Sequence, residues 1–266
     1  VNEAVEIAYT QGILTAASLM VAGAAAADAV ERARRLPMLG VGLHIVLADG
    51  APVLAPEQIP ALVGPDGRFP AAMLGTALKI AFNPAARRQM QAEVAAQFAA
   101  FAATGLPLDH VNAHKHFHLH PMIASAILQT GRRYGLRAMR VPLEPGAGAV
   151  LNWWTGRLGA RLHRAGLTGN DRVAGLAASG AFDSARMVAA LAGLKAGLTE
   201  IYTHPATADA YPGSADGYRY RAELAALIDP GTRAALAASG ADCGNFAKFS
   251  VTAPALRAPA RQAIAA

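Results

Sequence analysis

Short apolar runs bounded by glycine alternate along the chain with longer stretches of helical periodicity. Residues 1–11 read as a helix, and "GILTAASLMVAG" as a buried strand over residues 13–21. "AAAADAVERARRLP" reads as a helix stopped by Pro37, and "MLGVGLHIVLADG" as a second strand with one histidine in an otherwise apolar run. Residues 48–82, rich in proline, glycine and turn residues, read as a long strand-to-helix insertion of the kind that shapes binding sites. Asn83 is placed to cap a helix over residues 84–103, with Pro84 at its first position and Gly105 beyond its end. Then follow a strand in "PLDHVNAH", a helix over 122–134, a strand in "LRAMRVP" and a helix over 150–165. "RVAGLAA", a helix over 184–196, a strand in "LTEIYTHP", short helices within 222–238 and a last strand near 246–251 complete the series.

Strand and helix thus alternate roughly seven times, which predicts an α/β fold with a parallel sheet, either doubly wound or closed into a barrel. No glycine-rich phosphate loop follows the first strand, so a Rossmann dinucleotide site is not expected. The polar residues favour a TIM-barrel-like (β/α) barrel of about seven strands. His44, the cluster from His110 to His120 and His204 all fall near the C-terminal ends of predicted strands, where such barrels collect their chemistry.

The length of 266 residues and a hydrophobic content of 53% suit one domain over 1–266, since no linker, charge block or repeat divides the chain. The formal charge of +6 comes from scattered arginines such as Arg34, Arg35, Arg87, Arg88, Arg132 and Arg133, without interleaved aromatics, so nucleic acid is not an expected partner. The same charge would favour an anionic membrane face, although no amphipathic basic helix stands out. Cys243, the single cysteine, excludes an intramolecular disulfide and suits a reducing cytosol. Any metal would need nitrogen and oxygen ligands. No apolar window is long enough to predict a membrane span, and no signal peptide is recognised.

"HVNAHKHFHLHP" holds five of the eight histidines. Period two would place His110, Asn112, His114, His116, His118 and His120 on one strand face, and period four would align His110, His114 and His118 on a helix. The context from Leu108 to Ala113 and the helix-starting Pro121 favour a strand ending near His114, followed by a loop. Neutral imidazoles there could serve as metal ligands, with other histidines orienting them or donating protons. A solvated imidazole row or a nonspecific metal-binding tract is the bland alternative. His44 and His204, each alone in an apolar run, would ordinarily be satisfied core histidines.

"VNEAVEIAYTQGILTAASLMVAG", "VGLHIVL", "DHVNAHKHFHLHP", "LRAMRVP" and "TEIYTHPAT", in this order, resemble the YdjC-like carbohydrate deacetylases over nearly the whole chain. The form "HKHFHLHP" and the insertion after His44 are most similar to the branch associated with hopanoid biosynthesis. The resemblance implies a (β/α) barrel that uses one divalent metal ion, magnesium or zinc foremost, to hydrolyse the N-acetyl group of an amino sugar. It implies His44 and His114 as metal ligands and His204 as the group that protonates the leaving amine or steadies the oxyanion. His110, His116 and His118 become supporting or substrate-facing residues, and His120 a structural one. The implied substrate is an N-acetylglucosaminyl bacteriohopane polyol or a related oligosaccharide, met in the cytoplasm or transiently at the inner membrane surface. Trp153, Trp154 and the 48–82 loop are candidates to cover it.

One departure stands out. The family's first strand and its "ADDFG"-like segment, source of a metal carboxylate and a general base, are not found before Val1, so the chain is expected to be N-terminally incomplete. Asp49, Asp109, Asp183 and Asp216 are the nearest substitutes, each with the look of a loop or cap residue. The alternatives are a metal-dependent barrel hydrolase of phosphoesters or cyclic amides, and an inactive metal-binding protein.

Overall fold

The computed structural model describes residues 1–144, 146, 148–250 and 262–265. Along the chain run α1 (Asn2–Gln11), β1 (Ala16–Leu19), α2 (Ala26–Arg35), β2 (Gly40–Ile45), α3 (Met73–Phe82), α4 (Pro84–Ala103), β3 (Leu108–Ala113), α5 (Pro121–Gly131) and α6 (Ala149–Arg164). They are followed by β4 (Arg172–Ala174), α7 (Ser184–Ala192), β5 (Gly197–Ile201), α8 (Tyr220–Ile228), α9 (Pro230–Ser239), β6 (Asp242–Cys243), α10 (Phe246–Phe249) and β7 (Gln262–Ala265). The strands form two sheets, ordered β1-β2-β3 and β4-β5-β7-β6. The pairings of β2 with β3, β4 with β5, and β7 with both β5 and β6 are parallel, the arrangement that intervening helices impose.

Two expected strands take other forms. Over 136–142 pairing shrinks to one parallel bridge of Met139 with Val111, and Pro142 has no N–H with which to extend it. The expected strand near 246–251 is instead helix α10 over Phe246–Phe249, because the Asn245 side chain accepts a hydrogen bond from Lys248 N and caps a turn; residue 251 lies outside the described residues. The 48–82 insertion carries α3 at its end, a helix that its proline- and glycine-rich beginning concealed.

The chain packs as two compact units. One unites Ser18–Arg35 with Val41–Arg140; the other combines Val1–Ala17, Leu36–Gly40 and the described residues of Val141–Ala266. In the first, Leu43 and Ile45 of β2, Val111 of β3, Met90, Val94 and Phe98 of α4, and Ile123 and Ile127 of α5 are fully or almost fully buried. Helix α4 starts as the sequence predicts: Asn83 Oδ1 accepts hydrogen bonds from Ala85 N at 2.8 Å and Ala86 N at 3.3 Å, and Pro84 fills the first position.

The same helix fixes the insertion. Glu93, wholly buried, accepts hydrogen bonds from Val53 N at 2.8 Å, Leu54 N at 3.0 Å and Gln97 Nε2 at 2.8 Å. Gln97 in turn accepts from Val46 N and donates to Val46 O. Ile59, Leu62 and Phe69 are buried, so the long loop is packed against its own unit. In the second unit Leu158, Leu162, Val173, Met187, Leu191, Ile201, Leu227 and Phe246 form the core.

Candidate functional site

The first unit gathers most of the histidines. His44 lies near the end of β2, and β3 ends at Ala113, so His114 opens the 3-10 turn His114–Leu119 as the strand-then-loop reading predicts. The His44 and His114 rings meet edge to face with centres 5.6 Å apart. Lys115 (φ 52°) and His116 (φ 55°) both adopt the left-handed conformation, which costs a non-glycine residue about 1–2 kcal/mol. This double reversal turns the chain out of β3 and separates His114 from His116, whereas an extended strand would have aligned them. Asp49 is also left-handed (φ 49°), and its carboxylate pairs with Lys115 Nζ at 2.5 Å.

Beneath these rings runs a chain of hydrogen bonds. Asp109 Oδ2 accepts from His110 Nδ1 at 2.7 Å, His110 Nε2 lies 3.0 Å from Ser18 Oγ, and the Asn112 amide lies 2.8 Å from Ser18 and 2.6 Å from His44 Nδ1. Only one orientation of the Asn112 amide satisfies both of its ends. With its oxygen toward His44, its nitrogen would stand against the Arg140 guanidinium, donor facing donor. Turned over, its nitrogen donates to His44 Nδ1 while its oxygen accepts from Ser18 and from the Arg140 guanidinium at 3.1 and 3.2 Å. The orientation of one amide thus sets the tautomer of His44. Gly42 makes room for this chain, since a Cβ there would lie 2.5 Å from the His110 ring.

Burial favours the neutral form of His44, His114 and His118. Desolvation, outweighing the Asn112 hydrogen bond, pushes the pKa of His44 from 6.5 down to about 3. His114 is lowered chiefly by burial, with the Lys115 charge acting in the same sense and Asp49 opposing. His118 is wholly buried and lowered well below its ordinary value, chiefly by burial; its Nε2 lies 3.1 Å from the Arg140 carbonyl and donates to it. That burial suits a supporting residue better than a substrate-facing one. His116 is half-buried, and His120 caps α5, its Nδ1 accepting from Met122 N at 3.3 Å.

His204 belongs to the second unit, just beyond β5. Its Nε2 lies 2.6 Å from the Tyr202 hydroxyl, and its Nδ1 is 3.8 Å from Glu223 Oε2. Glu223, fully buried on α8, accepts hydrogen bonds from the His204 backbone N–H and from Phe182 N, and burial raises its pKa against these opposing bonds. The Tyr218 ring stands 5.4 Å from the His204 ring. The imidazole is therefore held by a phenol at one nitrogen and faces a carboxylate at the other.

The four aspartates occupy structural positions. Asp109 holds His110, Asp183 caps α7 and pairs with Arg186 and Arg219, and Asp216 is exposed in a loop. Asp49 and His114 influence each other's ionisation. Among the described residues no group of three or more histidine, cysteine or carboxylate side chains is arranged to hold a metal. The 5.6 Å between the His44 and His114 ring centres is comparable with the roughly 5 Å expected of two imidazoles whose nitrogens share one divalent ion. Ser18, Asn112, Arg140 and Tyr202 lie inside the quoted segments without being marked there as site residues, and Glu223 lies outside them; their contacts in the fold reveal all five.

The histidine shifts set a pH dependence. A pKa depressed on folding contributes stability that is complete above the unfolded value and lost as pH falls through the folded one. For His44 that window runs from 6.5 down to about 3, and His118 acts in the same direction. Thermal melts should show a falling midpoint between about pH 7 and about pH 4, with a shallower slope in His44→Gln. A flat midpoint in both proteins would contradict the burial account.

A protein-family model described as YdjC-like protein matches residues 1–238. The chain is 36% identical over 144 residues to the carbohydrate deacetylase of Brevibacillus brevis, covering 54% of the chain and 53% of that protein. It is 35% identical over 145 residues to the carbohydrate deacetylase of Geobacillus stearothermophilus, with 54% of each covered. A longer match, 26% identical over 209 residues, links it to the carbohydrate deacetylase of Thermoanaerobacter pseudethanolicus across 79% of the chain and 76% of that protein. The chain thus spans about half the length of the first two relatives. Among solved structures, a candidate cellobiose-phosphate cleavage protein from Enterococcus faecalis V583 is similar in fold, with a TM-score of 0.77 at 20% identity over 94% of this chain and 93% of that one.

Proposed function

The chain belongs to the YdjC-like protein family, and on that footing we propose that it is a metal-dependent carbohydrate deacetylase, hydrolysing the N-acetyl group of an amino sugar. The observation that carries this reading is the pair of desolvated imidazoles, His44 and His114, held edge to face. A metal ligand must be a neutral imidazole, and burial favours that form in both rings. The names of the relatives point to the same reaction.

A divalent ion bound by His44 and His114 would supply a Lewis acid for the acetamide carbonyl and acidify the attacking water. Asn112 holds the His44 ring in place through its hydrogen bond at Nδ1. Asp109, His110 and Ser18 fix Asn112 from below. In this reading His204 gives the leaving amine its proton or steadies the oxyanion, with Tyr202 and Glu223 setting its orientation. His116 and His118 support the turn. The barrel implied by the resemblance, and an N-acetylglucosaminyl bacteriohopane polyol as substrate, are the finer parts of this proposal.

The test is product analysis with magnesium or zinc supplied. Acetate and a free amine should appear in equal amounts from an N-acetylglucosaminyl hopanoid or from chitooligosaccharides, and the better of these substrates identifies the natural class. His204→Ala should lower the rate about 10²- to 10⁴-fold, as expected for loss of a general acid. Release of phosphate from a phosphorylated sugar, with no acetate from any N-acetyl substrate, would place the chain in another hydrolase class.

A further inference from the structure

Helix α6 buries Thr155, Leu158 and Leu162 and turns a different set of side chains outward. At about 100° per residue, Val150, Trp153, Trp154, Arg157, Arg161 and Arg164 fall within one sector roughly 100° wide. Val150 is 81% exposed, Trp153 58% and Trp154 38%. The Arg157 guanidinium lies 5.0 Å from the centre of the Trp153 ring. No acidic residue occurs anywhere in the helix. The face is apolar and aromatic over its first half and cationic over its second.

We propose that this face of α6 docks on an anionic phospholipid surface. Tryptophan is amphipathic and partitions to the depth of lipid headgroups, and an adjacent arginine can lay its alkyl stem along the apolar layer while its guanidinium meets phosphate. The Arg157 and Arg164 side chains, on a helix that contains no acidic residue, match a negative surface, and the net charge of +6 adds attraction at longer range. The sequence conceals this surface because the apolar and cationic halves follow one another along the axis, where an interfacial helix usually places them on opposite sides. The inference rests on α6 alone and is independent of the deacetylase reading. Among the described residues no helix is long and apolar enough to cross a membrane, so the contact is one of surface docking.

The chain contains two tryptophans, both on this face, so intrinsic fluorescence reports on it directly. The full chain is mixed with phosphatidylcholine vesicles with or without phosphatidylglycerol. With phosphatidylglycerol present, emission should shift to the blue, brominated acyl chains should quench it, and the protein should float with the vesicles, less so as salt rises. Replacing Arg157 and Arg164 together by glutamine should weaken binding about fivefold per arginine, and Trp153→Ser with Trp154→Ser should reduce flotation. Circular dichroism confirms that the variants are folded. The proposal is overturned if the folded wild type neither floats nor shifts, or if neither variant alters flotation. It is equally overturned if the shift is produced by a single-stranded oligonucleotide, by chitooligosaccharide or by protein concentration rather than by lipid.

Discussion

His44→Ala is expected to lower acetate release roughly 10³-fold or more while leaving the protein folded. The substitution removes one of two neutral nitrogen donors and strands the Asn112 amide, whose 2.6 Å partner disappears. Isothermal titration with zinc or magnesium separates the two effects: binding should weaken at least as much in His114→Ala, which leaves Asn112 paired. His120→Ala is the control, because that ring caps α5 and should affect melting more than turnover. If His44→Ala retains full activity and unchanged metal affinity, the paired imidazoles are not the metal site.

Glu93→Ala should cost about 3–5 kcal/mol of stability. The carboxylate is the acceptor for two backbone N–H groups, at Val53 and Leu54, and for the Gln97 amide, all at 2.8–3.0 Å. Alanine leaves these donors without their acceptor beneath a packed loop, and each unsatisfied buried group costs about 1–3 kcal/mol. For a chain of this size the melting midpoint should fall by about 10 °C. Glu93→Gln, which retains one carbonyl acceptor, should lose less. A fall of only a degree or two in Glu93→Ala would show that the insertion is held by Ile59, Leu62 and Phe69 instead.

Much of the architecture was legible because it depends on local rules. Asn83-Pro84 announces α4, glycine and proline punctuate the strands, and His44, His114 and His204 fall at or beyond the ends of β2, β3 and β5. Departures occur where a longer-range condition prevails. "LRAMRVP" has the residues of a strand, yet it pairs through one bridge. "HKHFHLHP" supports period-two and period-four readings, and neither anticipates two consecutive left-handed residues. The Asp109, His110, Ser18 and Asn112 chain was illegible for a different reason: Ser18 lies 92 residues from His110, so no spacing rule links them. Tyr202 sits two residues before His204, a spacing that was visible without indicating that the phenol reaches the imidazole.

The division into units has a consequence for how the protein is made. The chain crosses between them at residues 17/18, 35/36, 40/41 and 140/141, so neither unit is a continuous stretch of sequence. Residues 1–17 and 36–40 leave the ribosome early, but their unit cannot close until residues beyond 140 follow. Ordering such distant segments carries a loop-closure penalty before contacts reward it, which favours slow, concerted folding over stepwise maturation. A chain cut at residue 140 would separate part of one unit from the rest of it, and neither fragment would carry both units in full.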